Sequence, residues 1–184
     1  RSNRLVNEIK IGITGLPGSG KTYTLKRVIE MLGKDITVGG MIDEKITDGR
    51  HEIGINVCNL QTGEKVTFAK PGVESKITVG NLGVDLSLFE SISIDAIKTA
   101  CETCDVIVID EVGKVEVESQ AFVDAVKDAL DVDKPMILTL HKKSRNPLLQ
   151  DIRRRDDVRI LEVTPTNRNL LPHKIMRLMN GENI

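Results

Sequence analysis

A chain of 184 residues, 40 % hydrophobic and 29 % charged, is long enough for one domain with a substantial core and too evenly mixed for a disordered or fibrous protein. Its 26 basic residues against 27 acidic ones leave a net charge of −1, and its aromatic side chains are only Tyr23, Phe68, Phe89 and Phe122, so neither a basic footprint for nucleic acid nor a base-stacking platform for single strands is expected. No apolar run approaches the roughly eighteen residues of a membrane span and no apolar signal stretch stands near the start, which makes a cytoplasmic protein with no membrane partner the expectation.

The opening Arg1-Ser2, with no Met, is expected to be a remnant of expression, and a single domain is expected over 3–184. The apolar run from Ile9 to Thr14 predicts a short strand, and the spacing of Leu25, Val28, Ile29 and Leu32 predicts a helix that Gly33 stops. Between them stands Gly15-Leu16-Pro17-Gly18-Ser19-Gly20-Lys21-Thr22, which fits G-x-x-x-x-G-K-[ST]. The strand before it and the helix after it separate a phosphate-binding Walker A loop from a chance glycine-rich turn. The glycines at 15, 18 and 20 are expected to take positive φ and turn N–H groups inward as an anion nest, reinforced by the helix N-terminus. Lys21 brings a full positive charge to the β and γ phosphates of a nucleotide, a catalytic as well as a binding role, and the Thr22 hydroxyl suits Mg²⁺. Tyr23, next along, is counted with Gly15 to Thr22 among the nucleotide-binding residues.

From Thr37 to Lys70 the period changes to two, predicting strands near 37–46, 51–59 and 65–69 joined at Asp48-Gly49 and Thr62-Gly63. Such a meander is antiparallel, an extension or insertion after the first helix. Pro71 to Val84 reads as loop with a short strand at Ile77 to Val79. Asp85 then offers an N-cap to a helix whose stripe is Leu86, Phe89, Ile92, Ile97 and Ala100, running towards Cys104. Cys101 and Cys104 have C-x-x-C spacing, but with three cysteines in all and no second pair, reduced thiols at a helix end are expected.

Val106-Ile107-Val108-Ile109 is a β-branched run fit for the inside of a parallel sheet, and it ends in Asp110-Glu111. An apolar strand closing on acids is the Walker B pattern, with Asp110 reaching the metal. Glu111 is then free to take a proton from a water in line with the γ phosphate; the alternatives are an outer partner of Mg²⁺ or a simple strand-end acid. Helices about 120–130, 147–155 and 169–179 alternate with strands 135–140 and 158–163. The expected fold is therefore α/β, a P-loop NTPase with a mostly parallel central sheet, helices on both faces and an antiparallel extension at about 37–70.

Phosphoryl transfer also benefits from a cation on the γ phosphate. Arg153-Arg154-Arg155, with Lys142-Lys143 and Arg145 upstream, is a source of an arginine finger or merely a solvated face, while Lys114, in the loop after the acidic pair, is better placed for a catalytic role. In Thr164-Pro165-Thr166-Asn167-Arg168-Asn169, at a strand end on the ligand-binding edge, Asn167 and Arg168 are candidates to touch base or ribose. An ordinary N-cap by Thr166 or Asn167 is the alternative. His141 also follows a strand end and as a lone histidine is expected to be structural.

With the Walker loop in place, three further stretches carry a resemblance: Gly83-Val84-Asp85-Leu86 with Phe89-Glu90, Val108 to Glu116 (Asp-Glu-Val-Gly-Lys-Val-Glu at its heart), and Thr164 to Asn169. The chain resembles the THEP-type, or cancer-related, nucleoside-triphosphatases over nearly all of Lys10 to Met179. The resemblance implies a slow Mg²⁺-dependent hydrolase of nucleoside 5′-triphosphates such as ATP and GTP, giving diphosphate and phosphate with little base preference. It implies Lys21 and Thr22 on phosphate and Mg²⁺, Asp110 on the metal and Glu111 on the attacking water. Val115 stands where members of the family usually carry Met, and Met41 where Phe often follows the glycine, apolar swaps that bear on how the base is held. A nucleotide or small-molecule kinase and a nucleotide-operated switch remain the other readings, and a monomer or weak homo-oligomer is expected.

Overall fold

The computed structural model describes residues 8–182 and 184, so the expectation for Arg1-Ser2 lies outside the described residues. Its strands are β1 (Lys10–Gly15), β2 (Val38–Asp48), β3 (His51–Asn59), β4 (Lys65–Lys70), β5 (Thr78–Val79), β6 (Leu82–Val84), β7 (Val106–Val112), β8 (Met136–His141) and β9 (Val158–Glu162). Its helices are α1 (Lys21–Leu32), α2 (Leu86–Thr103), α3 (Gln120–Leu130), α4 (Pro147–Arg154) and α5 (Leu171–Met179). The strands form one sheet in the order β5-β6-β4-β3-β2-β7-β8-β1-β9.

The half from β2 to β9 is parallel throughout. Its strands are apolar on both sides because both sides are covered. Along β7, Val106 and Val108 pack with Ile11, Ile13, Val28 and Ile175 under α1 and α5. Ile107 and Ile109 pack on the opposite face with Phe89, Phe122 and Leu149 under α2, α3 and α4. That alternation is the period of a strand, and it is why the run reads as uniformly hydrophobic. Phe89 sits between Phe68 and Phe122, with ring centroids 5.0 and 5.3 Å away and tilted planes, so three of the four aromatics knit the second face.

The antiparallel extension is a continuation of this sheet. Val38 to Ile42 of β2 pair in parallel with Val106 to Asp110, while Met41 to Asp48 pair antiparallel with β3. Gly40 makes the changeover possible: its φ is 121°, and a Cβ there would run into the Val108 carbonyl oxygen. The stretch expected as loop from Pro71 holds an additional strand, β6, which pairs with both β4 and β5. It was hidden because three residues are too few to show a period.

Asp85 caps α2 as expected, its Oδ1 accepting the Leu88 N–H at 3.1 Å. Helix α5 corrects the N-cap alternative. It begins at Leu171 after Leu170, with no side-chain cap, because the Asn167 carbonyl already accepts the N–H groups of Leu170 and Leu171. No helix among the described residues is long and apolar enough to cross a membrane.

Candidate active site

The site lies at the carboxyl edge of the parallel strands, where β1 runs into its loop. Gly18 and Gly20 take φ of 79° and 113°, the left-handed values expected of them. Gly15 corrects the expectation: it is not among the positive-φ glycines, and its need is steric, since a Cβ would press on Ser19 Oγ and stand 2.8 Å from the Val163 carbonyl oxygen. Lys21 Nζ donates to Gly15 O at 3.0 Å, which folds its charge over the mouth of the loop.

Facing the loop, β7 brings Asp110 into contact with it. The Thr22 hydroxyl donates to Asp110 Oδ2 at 3.0 Å, and the Thr139 hydroxyl of β8 donates to Oδ1 at 2.5 Å. Thr139 escaped the sequence reading, although one hydroxyl within the otherwise apolar Met136–Leu140 run was the available signal. Asp110 is 2 % exposed, and burial pushes its carboxyl up to about 6; the charge of Glu111 pushes the same way, against the pull of Thr139, Thr22 and Lys21. The register of β7 on β8 shifts between Ile109 and Val112, so Asp110 and Glu111 sit in an irregularity of the ladder. This allows two consecutive residues to line one cavity, which a regular strand would point to opposite faces.

That cavity, of about 820 Å³, is bounded by the Walker loop, Asp110, Glu111, Lys114, Glu116 and His141, and beyond them by Asp43 to Ile46 of β2 with Ile55 and Asn56 of β3. Asp43 and Glu116 were not singled out from sequence; Asp43 joins because β2 pairs with β7, and Glu116 because the turn after β7 folds it back onto Gly113. Burial first, then the neighbouring charge of Glu116, holds the Asp43 carboxyl well above the usual carboxylate range. Burial also raises Glu116, partly offset by its hydrogen bond with Asp43. Glu116 Oε1 accepts the Gly113 N–H at 3.1 Å.

The cations divide sharply. Arg153 donates to the carbonyls of Ser144, His141 and Lys142 at 2.7, 2.8 and 3.1 Å, and Arg155 is engaged by Asp157, Asp131 and the Leu130 carbonyl. These arginines brace loops instead of reaching the cavity, and the basic side chains on its wall are Lys21, Lys26, Lys45 and Lys114. His141 reaches that wall as well. Its Nδ1 accepts the Lys143 N–H at 3.2 Å, and desolvation lowers its pKa, which favours the neutral ring.

The turn after β9 sits beside the Walker loop. Asn167 is spent within it, its Oδ1 accepting the Thr164 N–H at 2.8 Å and its Nδ2 donating to Glu162 O at 2.9 Å. Arg168 packs on the loop itself, its Cδ 3.2 Å from where a Cβ on Gly20 would be. Tyr23 is 47 % exposed nearby and reaches Asn169 Oδ1 at 3.5 Å.

A phosphate-sized nest, a carboxylate joined to its threonine and an acidic wall can be compared with known proteins. Residues 10–176 match the model of a family described as NTPase. The chain belongs to that NTPase family. It is 41 % identical over 175 residues to the nucleoside-triphosphatase THEP1 of Thermoplasma volcanium, covering 95 % of this chain and 98 % of that one. The Thermoplasma acidophilum THEP1 is 40 % identical with 95 % and 97 % covered. Among solved structures, THEP1 from the hyperthermophile Aquifex aeolicus superposes with a TM-score of 0.83 at 33 % identity, covering 93 % of this chain and 99 % of that one. A human cancer-related nucleoside triphosphatase gives 0.80 at 30 %, with 96 % and 100 % covered. The resemblance read from the motifs is borne out.

NTPase-family chemistry calls for a divalent cation, and the donor set fits one. Thr22 Oγ1 and Asp110 Oδ2 are hard oxygens already in contact, and a cation there would relieve the carboxyl that burial holds up. No group of three or more His, Cys, Asp or Glu side chains suited to a metal occurs among the described residues.

Proposed function

We propose that this chain hydrolyses nucleoside 5′-triphosphates to diphosphate and phosphate in a Mg²⁺-dependent reaction, slowly and with little preference for the base. The observation that carries this reading is Glu111. It lines the cavity beside Asp110, and no donor among the described residues hydrogen-bonds to it, so its carboxylate is available to a water.

The backbone N–H groups from Gly18 to Thr22 and the Lys21 ammonium hold the phosphate chain, while Thr22 and Asp110 would hold Mg²⁺. A cation held there would offset phosphate charge. Glu111 accepts the proton of the attacking water as the new O–P bond forms and the β–γ bridge oxygen leaves with the diphosphate. Lys114, on the same wall, offsets the charge growing on the γ oxygens. Tyr23 and Arg168 offer the base a ring and a guanidinium, which select for a flat surface rather than for one base, and Asn167 holds the turn that carries Arg168.

Phosphate release should be measured with MgATP and MgGTP on wild type and on Glu111→Gln. The variant should lose on the order of 10²–10⁴ in kcat while still binding nucleotide. Full activity in the variant would overturn the assignment of the base. The cavity wall formed by β2 and β3 is the observation that favours a second reading, transfer to an acceptor hydroxyl held there. Phosphoryl transfer to nucleoside monophosphates or polyols outpacing hydrolysis would support that reading.

A further inference from the structure

The Asp-Glu-Val-Gly-Lys-Val-Glu stretch contains an acid that the reaction above does not use. Glu116 opens a short 3-10 turn, Glu116–Glu118, is 7 % exposed, and turns its carboxylate back to the Gly113 N–H. A helix-end acid is normally solvated; a buried one needs partners to hold it.

Two partners are present. On one side is the Gly113 N–H. On the other is the buried carboxyl of Asp43, whose side chain is hydrogen-bonded to that of Glu116. Asp43 Oδ1 is sealed from solvent with no donor reaching it among the described residues. Glu116 therefore ties β2, on the antiparallel extension, to the turn that follows β7.

Gly113 links this tie to the reacting acid. A Cβ placed on it would lie 2.8 Å from Glu116 Oε1, 2.9 Å from Glu111 Oε2 and 3.2 Å from Glu111 Cδ. The two carboxyl groups thus close on the same α-carbon from two directions, and moving the Gly113 turn moves the wall against which Glu111 rests.

The geometry points to Glu116 as a positioning residue: anchored by Asp43, it fixes the Gly113 turn and so keeps the Glu111 carboxylate aimed into the cavity. This rests on Glu111 being the base. Glu116 is not itself assigned a catalytic role: its carboxylate is turned to the Gly113 N–H, and it acts on the reaction through Gly113 and Glu111. The extension acquires a role: β2 supplies the far end of the brace.

The test is phosphate release with MgATP, reading kcat and KM separately, on Glu116→Ala, Glu116→Gln and Gly113→Ala, each alone and combined with Glu111→Gln. A misplacement of the base by about an ångström should cost Glu116→Ala roughly 10- to 100-fold in kcat, with KM within about threefold of wild type. Glu116→Gln keeps an acceptor for Gly113 and a hydrogen bond to Asp43, so it should recover most of that loss. Gly113→Ala keeps both carboxyls but wedges a methyl between them, and should lower kcat as Glu116→Ala does; it carries the test if Glu116→Ala fails to fold.

On the Glu111→Gln background both alanine variants should change the residual rate by less than about twofold, because the group they position is gone. Equal losses on the two backgrounds, or a raised KM at unchanged kcat, would overturn the positioning role. Full activity in Glu111→Gln alone is a different result, and it removes the base assignment instead.

Discussion

The phosphate wall of the cavity is one continuous piece of chain, Gly15 to Thr22, whose donors are backbone N–H groups with Lys21 beside them; the acidic wall gathers Asp43 from β2, Asp110 and Glu111 from β7 and Glu116 from the turn beyond. The first is local and strained only where glycine relieves it, at Gly18 and Gly20. The second brings several carboxyls together under burial, which raises Asp43, Asp110 and Glu116 alike. One wall can be lost with little effect on folding. The other opposes folding until a cation or proton arrives, so function and stability pull in opposite directions there.

The sharpest way to break this comparison is Lys21→Ala. It removes the charge nearest the phosphates and should cost on the order of 10³ or more in kcat/KM. Its one side-chain hydrogen bond among the described residues is to Gly15 O, so the denaturation free energy should move by less than about 1 kcal/mol. A collapse in stability would mean the phosphate wall is not locally held.

Asp110→Asn tests the opposite wall. Turnover should fall by roughly 10²–10³-fold, yet the nucleotide-free protein should gain stability at pH 8, by up to about 3 kcal/mol for a carboxyl raised from 3.8 to about 6. The sign follows from linkage. Between those two values the folded Asp110 binds more proton than the unfolded one, so its contribution is full below 3.8 and is lost as pH rises through about 6. His141, lowered from 6.5, works the other way, its contribution being lost as pH falls through its folded pKa. The difference between wild type and Asp110→Asn isolates the aspartate, and melting curves of both without cation from pH 4 to 8 should converge at the acid end. Parallel curves would show that Asp110 is not strained by its site.

Arg153→Ala sharpens the contrast among the cations. Losing hydrogen bonds to three carbonyls around His141 should cost about 1–3 kcal/mol, with a smaller effect on kcat than Lys21→Ala. An arginine acting on the γ phosphate would behave oppositely, losing roughly 10³ or more in kcat at unchanged stability.

How far each wall was legible follows from the same difference. The Walker loop is contiguous, and its spacing alone placed Gly18, Gly20, Lys21 and Thr22; only Gly15 was misread, because crowding from Val163, far along the chain, is invisible in a motif. Asp110 and Glu111 could be found because they end an apolar run. Thr139 and Asp43 depend on β8 and β2 lying either side of β7, a sheet order that periodicity does not give, and Glu116 on a turn that folds back onto Gly113. The arginine run showed charge but not partners, and the carbonyls that claim Arg153 come from a loop several turns of chain away. The parallel strands and their helices were readable because burial on both faces leaves long apolar runs, whereas β6 is too short to carry any pattern.

Tyr23→Ala should have the smallest effect and bears on the base, which neither wall touches. The ring is half exposed and, among the described residues, its hydroxyl makes one 3.5 Å contact, with Asn169, so removing it should leave the fold within about 0.5 kcal/mol. One stacking contact at an exposed site is worth on the order of 1 kcal/mol, so KM should rise by about fivefold at constant kcat. The rise should be the same for ATP, GTP, CTP and UTP, since every base has a face to stack and Tyr23 reads none of their edges. A rise confined to the purines would mean that ring area, through Tyr23, sets a preference among nucleotides; no rise at all would place the base away from α1 and leave Arg168 as its support.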